Sequence, residues 1–408
     1  MRIFNWFVHL TQRIFSSDVY YPIEGQINSL ATGVIFTRSM RTNEPICLKV
    51  WLPCNNELYS TNNEEKCIEY LIEGLNFNKR FAPRVYLGIA SAEKPNKKSI
   101  RRGRLIERPK RKALKPGTQY ALVMRRLKET WHLDHQLISG QIREQADIEF
   151  LASEVMRMHK MLEASPKNMG TTEHIYTKLK LNVALFEQAL SQLASEAFDV
   201  SKYQLITQQM EDAYRQCIEY FVQRHETGHI KRCHGDLKAA NLWIRPEKHL
   251  FFGLTKIPRR LLALDCVDFN PSFCHIDTLG DIAMLAVDIE VHLISQVAEN
   301  IRAKTGKEPS QYLLEAYLEK IGEEGTKTIW ALLEYYLTEK AMICAYMSIL
   351  YDKLPDLDKS ILYDKLPDLD KRYLDIALIH AQRLKDLLYA RSSSGSDDSR
   401  ELEPVGVF

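Results

Sequence analysis

The chain has 408 residues, 45% of them hydrophobic and 26% charged, an ordinary balance for a folded chain with room for one large or two small domains. A formal net charge of +2 excludes a chain-wide basic surface, so nucleic acid is not expected as a partner and any such role would have to be local. Eight cysteines with no CxxC pair exclude a disulfide scaffold and point to free thiols in a reducing, cytoplasmic setting.

Residues 1–24 open on the apolar run Met1–Leu10. It is too short to span a bilayer, is interrupted by Gln12 and Arg13, and lacks a small-residue cleavage site. The expectation is an amphipathic segment packed on the body, with no membrane contact, since no other stretch reaches the roughly 18 apolar residues of a span. Residues 25–125 read as a strand-rich lobe. Thr32–Thr37 and Ile46–Leu52 flank a polar turn at Arg41–Pro45, a helix covers about Asn63–Arg80, and further strands lie at Arg84–Ile89 and Tyr120–Met124. Residues 126–390 are mostly helical, with Ile148, Leu151, Val155, Met158 and Leu162 at helical spacing. The expected fold class is α+β, a small β-rich lobe followed by a larger helical one. Residues 391–408 begin with Ser392–Arg400, a polar tail expected to be disordered.

Two segments stand out. Between Lys94 and Lys115 lie eleven Lys/Arg residues and one acidic residue, Glu107. No aromatic residues interleave the charges to stack on bases, so a solvated loop between strands is the better reading than a nucleic-acid patch. Ser348–Lys359 (SILYDKLPDLDK) is repeated letter for letter as Ser360–Lys371. Two copies cannot build a solenoid, and Pro355 and Pro367 break any single helix there, so a duplicated surface insertion is expected.

The chemistry-bearing stretch is Cys233–Trp243, CHGDLKAANLW. Phosphoryl transfer to an alcohol needs a carboxylate for the hydroxyl proton, oxygen ligands for Mg²⁺, and a cation on the phosphate tail. Asp236 and Asn241, five positions apart, let one loop offer both the base and an amide oxygen. The apolar run Leu261–Leu264 ends in Asp265, where a second metal-binding carboxylate belongs; an isolated Asp there would be read as a turn residue. Lys49 sits in an apolar strand and alternates with Leu48 and Val50. It is either a surface lysine or the cation for the phosphates. Glu69 and Glu73, one helical turn apart, are its candidate partners, with Glu73 preferred.

The order strand-Lys, helix-Glu, H-G-D-L-x-x-x-N, strand-Asp resembles the protein-kinase-like fold. Gly235, where protein kinases usually carry Arg, resembles the aminoglycoside and choline phosphotransferase branch. Asn78–Gly88, Val123–Leu127 and Asp265–Pro271 look like motifs of an uncharacterised bacterial aminoglycoside-phosphotransferase-like group. The resemblance implies Asp236 as catalytic base, Lys238 near the γ-phosphate, Asn241 and Asp265 as Mg²⁺ ligands, and Lys49 on the α/β-phosphates. It also implies Glu73 as the partner of Lys49, and the run Val123–Leu127 as the inter-lobe hinge whose backbone reads adenine, with Val123, Met124 and Arg125 as its nucleotide-binding residues. Asp277 or Asp281 would brace the catalytic loop, and Asp268 would be an extra ligand. The implied cofactors are ATP and Mg²⁺, and the implied partner is a small molecule with a hydroxyl group.

The sequence departs from the pattern in lacking a G-x-G-x-x-G loop, with only Gly33 near its place. Lys238 is a feature shared with serine/threonine kinases. The competing readings are a nucleotide-binding regulatory pseudoenzyme and a protein kinase. The filled catalytic positions oppose the first. The second is opposed by the absence of an A-P-E segment and of room for a long activation loop between Asp265 and Asp277. The acceptor and the oligomeric state are not encoded in any motif.

Overall fold

The computed structural model describes residues 25–28, 31–38, 43–52, 54, 61, 63–92, 105–193, 200–250, 255–352 and 368–389. Strands β1 (Gly25–Asn28), β2 (Thr32–Arg38), β3 (Pro45–Trp51), β4 (Tyr86–Ala92), β5 (Leu105–Ile106) and β6 (Gln119–Arg125) form one sheet. Its order is β1-β2-β3-β6-β4-β5, and each pair is antiparallel. β2 alternates buried and half-buried residues, the pattern of a sheet with one covered face. β3, between β2 and β6, is buried from Ile46 to Trp51.

Helix α1 (Glu64–Phe81) packs on β4 and β6. Its start is fixed by the Asn63 side chain, which accepts from the Glu65 and Lys66 N–H groups at 2.9 and 3.2 Å. It ends just before Pro83, which cannot continue a helix. A turn at Pro83–Val85 follows, so β4 begins two residues later than expected.

The second lobe carries α2 (Leu133–Ile138), α3 (Gln145–Lys160), α4 (Thr172–Leu193), α5 (Ser201–Glu226), α6 (Pro271–Cys274), α7 (Thr278–His292), α8 (Ser295–Thr305), α9 (Pro309–Ile321), α10 (Lys327–Asp352) and α11 (Leu369–Tyr389). Three two-stranded ribbons interrupt the helices: β7 (Ile230–Arg232) with β12 (His275–Asp277), β8 (Leu242–Arg245) with β11 (Arg260–Ala263), and β9 (Lys248–Leu250) with β10 (Thr255–Ile257). Helix α7 is buried from Thr278 through Ile289, as an apolar-all-round helix must be, and is the axis of the larger core. A second apolar cluster joins Trp51, Leu71 and Leu75 of the first lobe to Leu262 and Leu264 at the end of β11. The result is the two-lobed α+β arrangement read from the sequence.

The duplicated segment is a partial correction. The first copy starts inside α10, with Ser348 and Ile349 buried, and the second ends inside α11. The duplication therefore includes two helix ends, and residues 353–367 between them lie outside the described residues. The expectations for residues 1–24, for residues 94–104 of the basic run and for the tail 391–408 also fall outside them. All eight cysteines are free. Among the described residues, no helix is long and apolar enough to cross a membrane.

Candidate active site

The loop between β7 and β8 carries His234, Gly235, Asp236, Lys238 and Asn241. Gly235 has φ +84°, and a Cβ there would lie 2.7 Å from the Phe273 carbonyl oxygen. Conformation and space both require glycine, so the small residue in H-G-D is a local structural demand. The Asn241 Nδ2 group donates to the Asp236 carbonyl and to its Oδ2, both at 2.9 Å. This turns the amide oxygen away from Asp236. Lys238 Nζ lies 2.9 Å from the same Oδ2. The base candidate is thus held from two sides on a partly exposed carboxylate.

The loop backbone is bonded to α7. Asp281 accepts the His234 N–H at 3.1 Å and the Gly235 N–H at 2.9 Å, and Asp288 accepts the Ala239 N–H at 2.6 Å. Asp277 instead caps α7 through the Leu279 N–H at 2.9 Å and forms a two-pronged pair with Arg224, both contacts at 2.7 Å. Of the two brace candidates, Asp281 is the one that holds the loop. Asp288 is a further brace that the sequence did not reveal. His159, Cys233 and Asp281 bring three potential ligand atoms within 4.8 Å of one another. Both His159 nitrogens are already bonded, one to Tyr317 and one to Asp281, so this trio reads as part of the brace.

Asp265 follows β11 and meets Lys49 of β3, whose Nζ contacts its Oδ1. The Leu264 N–H donates to the Asn241 carbonyl at 2.9 Å, so the two metal-ligand candidates stand at adjoining strand ends. Lys49 is buried, whereas half of the Asp265 side chain is accessible. Burial works against the charged form of each. The attraction of Asp265 and Asp268 outweighs it and raises the Lys49 ammonium, while Lys49 holds Asp265 below the usual carboxylate range. Asp268 is pushed up to about 7 by burial, with Lys49 opposing.

Helix α1 presents Gly74 to this cluster. A Cβ at Gly74 would fall 2.2 Å from Asp268 Oδ2, so the notch left by the missing side chain is filled by that carboxylate. The expected Lys49–Glu73 pair is therefore corrected. Glu73 points off this face and bonds Arg232 at 3.0 Å, while Glu69 lies 3.5 Å from Arg111. One residue along a helix is about 100° of rotation, enough to carry Glu73 outside when Gly74 faces in. The first part of the expected hinge run also needs correction. Val123, Met124 and Arg125 lie within β6, paired with β3 on one side; Tyr86 and Gly88 of β4 pair with Met124 and Val123 on the other, and the Arg125 N–H donates to Val85. The backbone of these three is committed to the sheet; β6 ends at Arg125, and the chain leaves it through Arg126 and Leu127, the last two residues of the expected run.

The donors around this junction are hard oxygens, from Asp265 and the Asn241 amide with Asp236 adjacent. That chemistry suits Mg²⁺ rather than a softer transition metal. The buried Lys49 is a cation set against these oxygens.

No family model matches the chain, and no curated protein matches it. Among solved structures it is similar to an ethanolamine kinase of Plasmodium vivax (TM-score 0.41, 11% identity, 93% of this chain and 85% of that one). It is also similar to a choline/ethanolamine kinase family protein of Mesorhizobium loti (0.43, 12%, 96% and 99%). A third similarity is to the GDP complex of aminoglycoside 2'-phosphotransferase-IIIa (0.44, 9%, 94% and 99%).

Proposed function

We propose that this chain is an ATP-Mg-dependent phosphotransferase that moves the γ-phosphoryl group to a hydroxyl of a small molecule. The observation that carries the reading is the Lys49–Asp265 contact, in which a buried cation of the sheet lobe meets a carboxylate of the helical lobe beside Asn241 and Asp236. A polyphosphate with its cation would divide this pair, the phosphates going to Lys49 and the cation to Asp265. Asp236 orients the acceptor hydroxyl and takes its proton. Lys238, already beside Asp236, balances charge at the transferred group. Asn241 and Asp265 would hold Mg²⁺, which neutralises phosphate charge and aligns it for in-line transfer. The acceptor is a hydroxyl-bearing small molecule, and the setting is cytoplasmic.

The test is a melting-temperature titration with ATP, with and without Mg²⁺, followed by a screen of sugars, amino alcohols and aminoglycosides for ATP consumption. The expected result is Mg²⁺-dependent stabilisation and turnover with one acceptor class. Absence of any nucleotide effect would overturn the reading.

A further inference from the structure

Asp265 has φ +64°, the left-handed region, uncommon for any residue with a side chain although aspartate enters it more readily than most. The holding contacts come from the other lobe. The Asp265 N–H donates to the Tyr86 hydroxyl at 2.9 Å, and that hydroxyl donates to Asn78 Oδ1 at 3.0 Å. The same Oδ1 accepts the N–H of Cys266 at 3.0 Å. Asn78 Nδ2 donates to the Gly74 carbonyl one turn back, at 2.8 Å, which fixes the amide so that its oxygen faces both donors. Asn78 and Tyr86 are almost wholly buried, at 2% and 3% exposure.

We infer that Asn78 and Tyr86 are positioning residues for Asp265. From α1 and β4 they clamp two successive backbone N–H groups of the Asp265–Cys266 turn and so set where the carboxylate points. Packing alone does not account for them. A phenylalanine at 86 would fill the same apolar volume, and a buried hydroxyl is costly unless bonded. Here the hydroxyl is bonded on both sides, accepting from the backbone N–H of the ligand candidate itself and donating to Asn78 Oδ1. The clamp also registers the lobes, because the residues that hold the turn belong to the sheet lobe and the turn belongs to the helical one. This inference rests on the reading of Asp265 as a metal ligand given above.

The test is Tyr86→Phe in the full chain, with Mg²⁺ and ATP as probes. Removing a supporting hydrogen bond behind a metal ligand typically costs 10–100-fold in metal affinity. The Mg²⁺ concentration giving half of the ATP-dependent stabilisation should therefore rise by at least about tenfold, with Mg²⁺-free ATP binding little changed and the unliganded melting temperature lowered only modestly, since one N–H loses its acceptor. In the ligand-free protein the Asp265 amide should exchange its hydrogen at least about tenfold faster while the amides of β11 do not, a local opening rather than general loosening. Asn78→Leu, which removes the amide while keeping the branch point of the side chain, should move both readouts in the same direction and covers the case in which Tyr86→Phe does not fold. Parental Mg²⁺ dependence in a folded variant overturns the positioning role and leaves the proposed function standing. No Mg²⁺-dependent nucleotide effect in the unaltered protein overturns both.

Discussion

Asp281 and Asp288 lie seven residues apart on one face of α7, and between them they grip both ends of the loop that carries Asp236. Asp281 takes the N–H groups of His234 and Gly235, ahead of the base candidate, and Asp288 takes that of Ala239, behind it. Two helical turns separate the grips, so the spacing of the loop is copied from the rigid spacing of the helix. Asp288 is itself held by the Tyr373 hydroxyl of α11 at 2.9 Å. The geometry of the candidate loop is thereby tied to the core of the helical lobe.

Removing one grip should cost stability as well as activity. Asp281→Ala leaves two buried loop N–H groups and the facing nitrogen of His159 without their acceptor. Unsatisfied buried groups cost about 1–3 kcal/mol each, partly recovered by water entry, so a loss of roughly 3 kcal/mol is expected in urea unfolding. A loss below about 0.5 kcal/mol, the usual scale of a neutral surface change, would mean that the loop does not depend on this carboxylate.

The loop was legible in the sequence because its chemistry is local: H-G-D, the asparagine five positions on, and an aspartate ending an apolar run. The partners of Lys49 were not. Helical spacing puts Glu69 and Glu73 on a common face, but whether that face meets the sheet depends on the rest of the helix. The apolar positions Ile68, Leu71, Leu75 and Phe77, with Gly74 among them, turn both glutamates outward, and that stripe was the available signal. The hinge run Val123–Leu127 was begun too early, at Val123, because a strand run does not show where its ladder ends. Asn78 and Tyr86 act on Cys266 and Asp265, 188 and 179 positions away, a relationship no local pattern contains.

A pH-dependent part of the stability should come from His380 in α11. Its Nδ1 lies 2.6 Å from Glu334 of α10 and its Nε2 3.2 Å from Glu290 of α7, and Ser310 of α9 donates to Glu290 from the other side. Burial opposes the imidazolium, but the bonds to the two carboxylates outweigh it and raise its pKa to about 9 from an ordinary 6.5. Because the folded value is the higher one, this stabilisation is fully present below pH 6.5 and is lost as pH rises to about 9. The expected outcome is a fall of roughly 3 kcal/mol or less in unfolding free energy between those limits, absent in His380→Gln. Identical slopes in the two proteins would remove His380 as the source.

Deleting one copy of the duplicated segment should be tolerated despite its helical borders. Helices α10 and α11 are separated by the 16 residues 353–368, and removing the 12 residues Ser360–Lys371 leaves four between equivalent helix ends. Leu357, Asp358 and Lys359 then stand where Leu369, Asp370 and Lys371 stood, so the residues entering α11 are unchanged in type. Four residues is a common connection between packed helices, and loop entropy changes slowly with length. The melting temperature should stay within about 3 °C of the parent, the shift of a sub-kilocalorie change in a chain this long. Aggregation or loss of the folded form would show that the longer connection is required.

The decisive pair of substitutions separates Asp236 from Asp265. Asp236 is bonded to Asn241 and Lys238 but does not touch Lys49, whereas Asp265 is the carboxylate on Lys49. If Asp236 serves the acceptor hydroxyl, Asp236→Asn keeps the nucleotide and loses the proton transfer. ATP-Mg should stabilise it nearly as well as the parent, while slow ATP hydrolysis, with water standing in for the acceptor, falls by roughly 10²–10⁴. Asp265→Asn should show the reverse emphasis. An amide supplies less charge to a hard cation, so the Mg²⁺-dependent part of ATP stabilisation should disappear. It also leaves Lys49, buried in the sheet lobe, without the carboxylate it contacts, and the unliganded protein should melt lower in consequence. Melting titrations and a phosphate-release assay distinguish the two without knowledge of the acceptor. Parental hydrolysis in Asp236→Asn would remove this carboxylate from the chemistry, and unchanged Mg²⁺ dependence in Asp265→Asn would remove the other from the metal. Loss of folding in Asp236→Asn would give the carboxylate a structural role instead, as an anchor for Asn241 at the turn into β8.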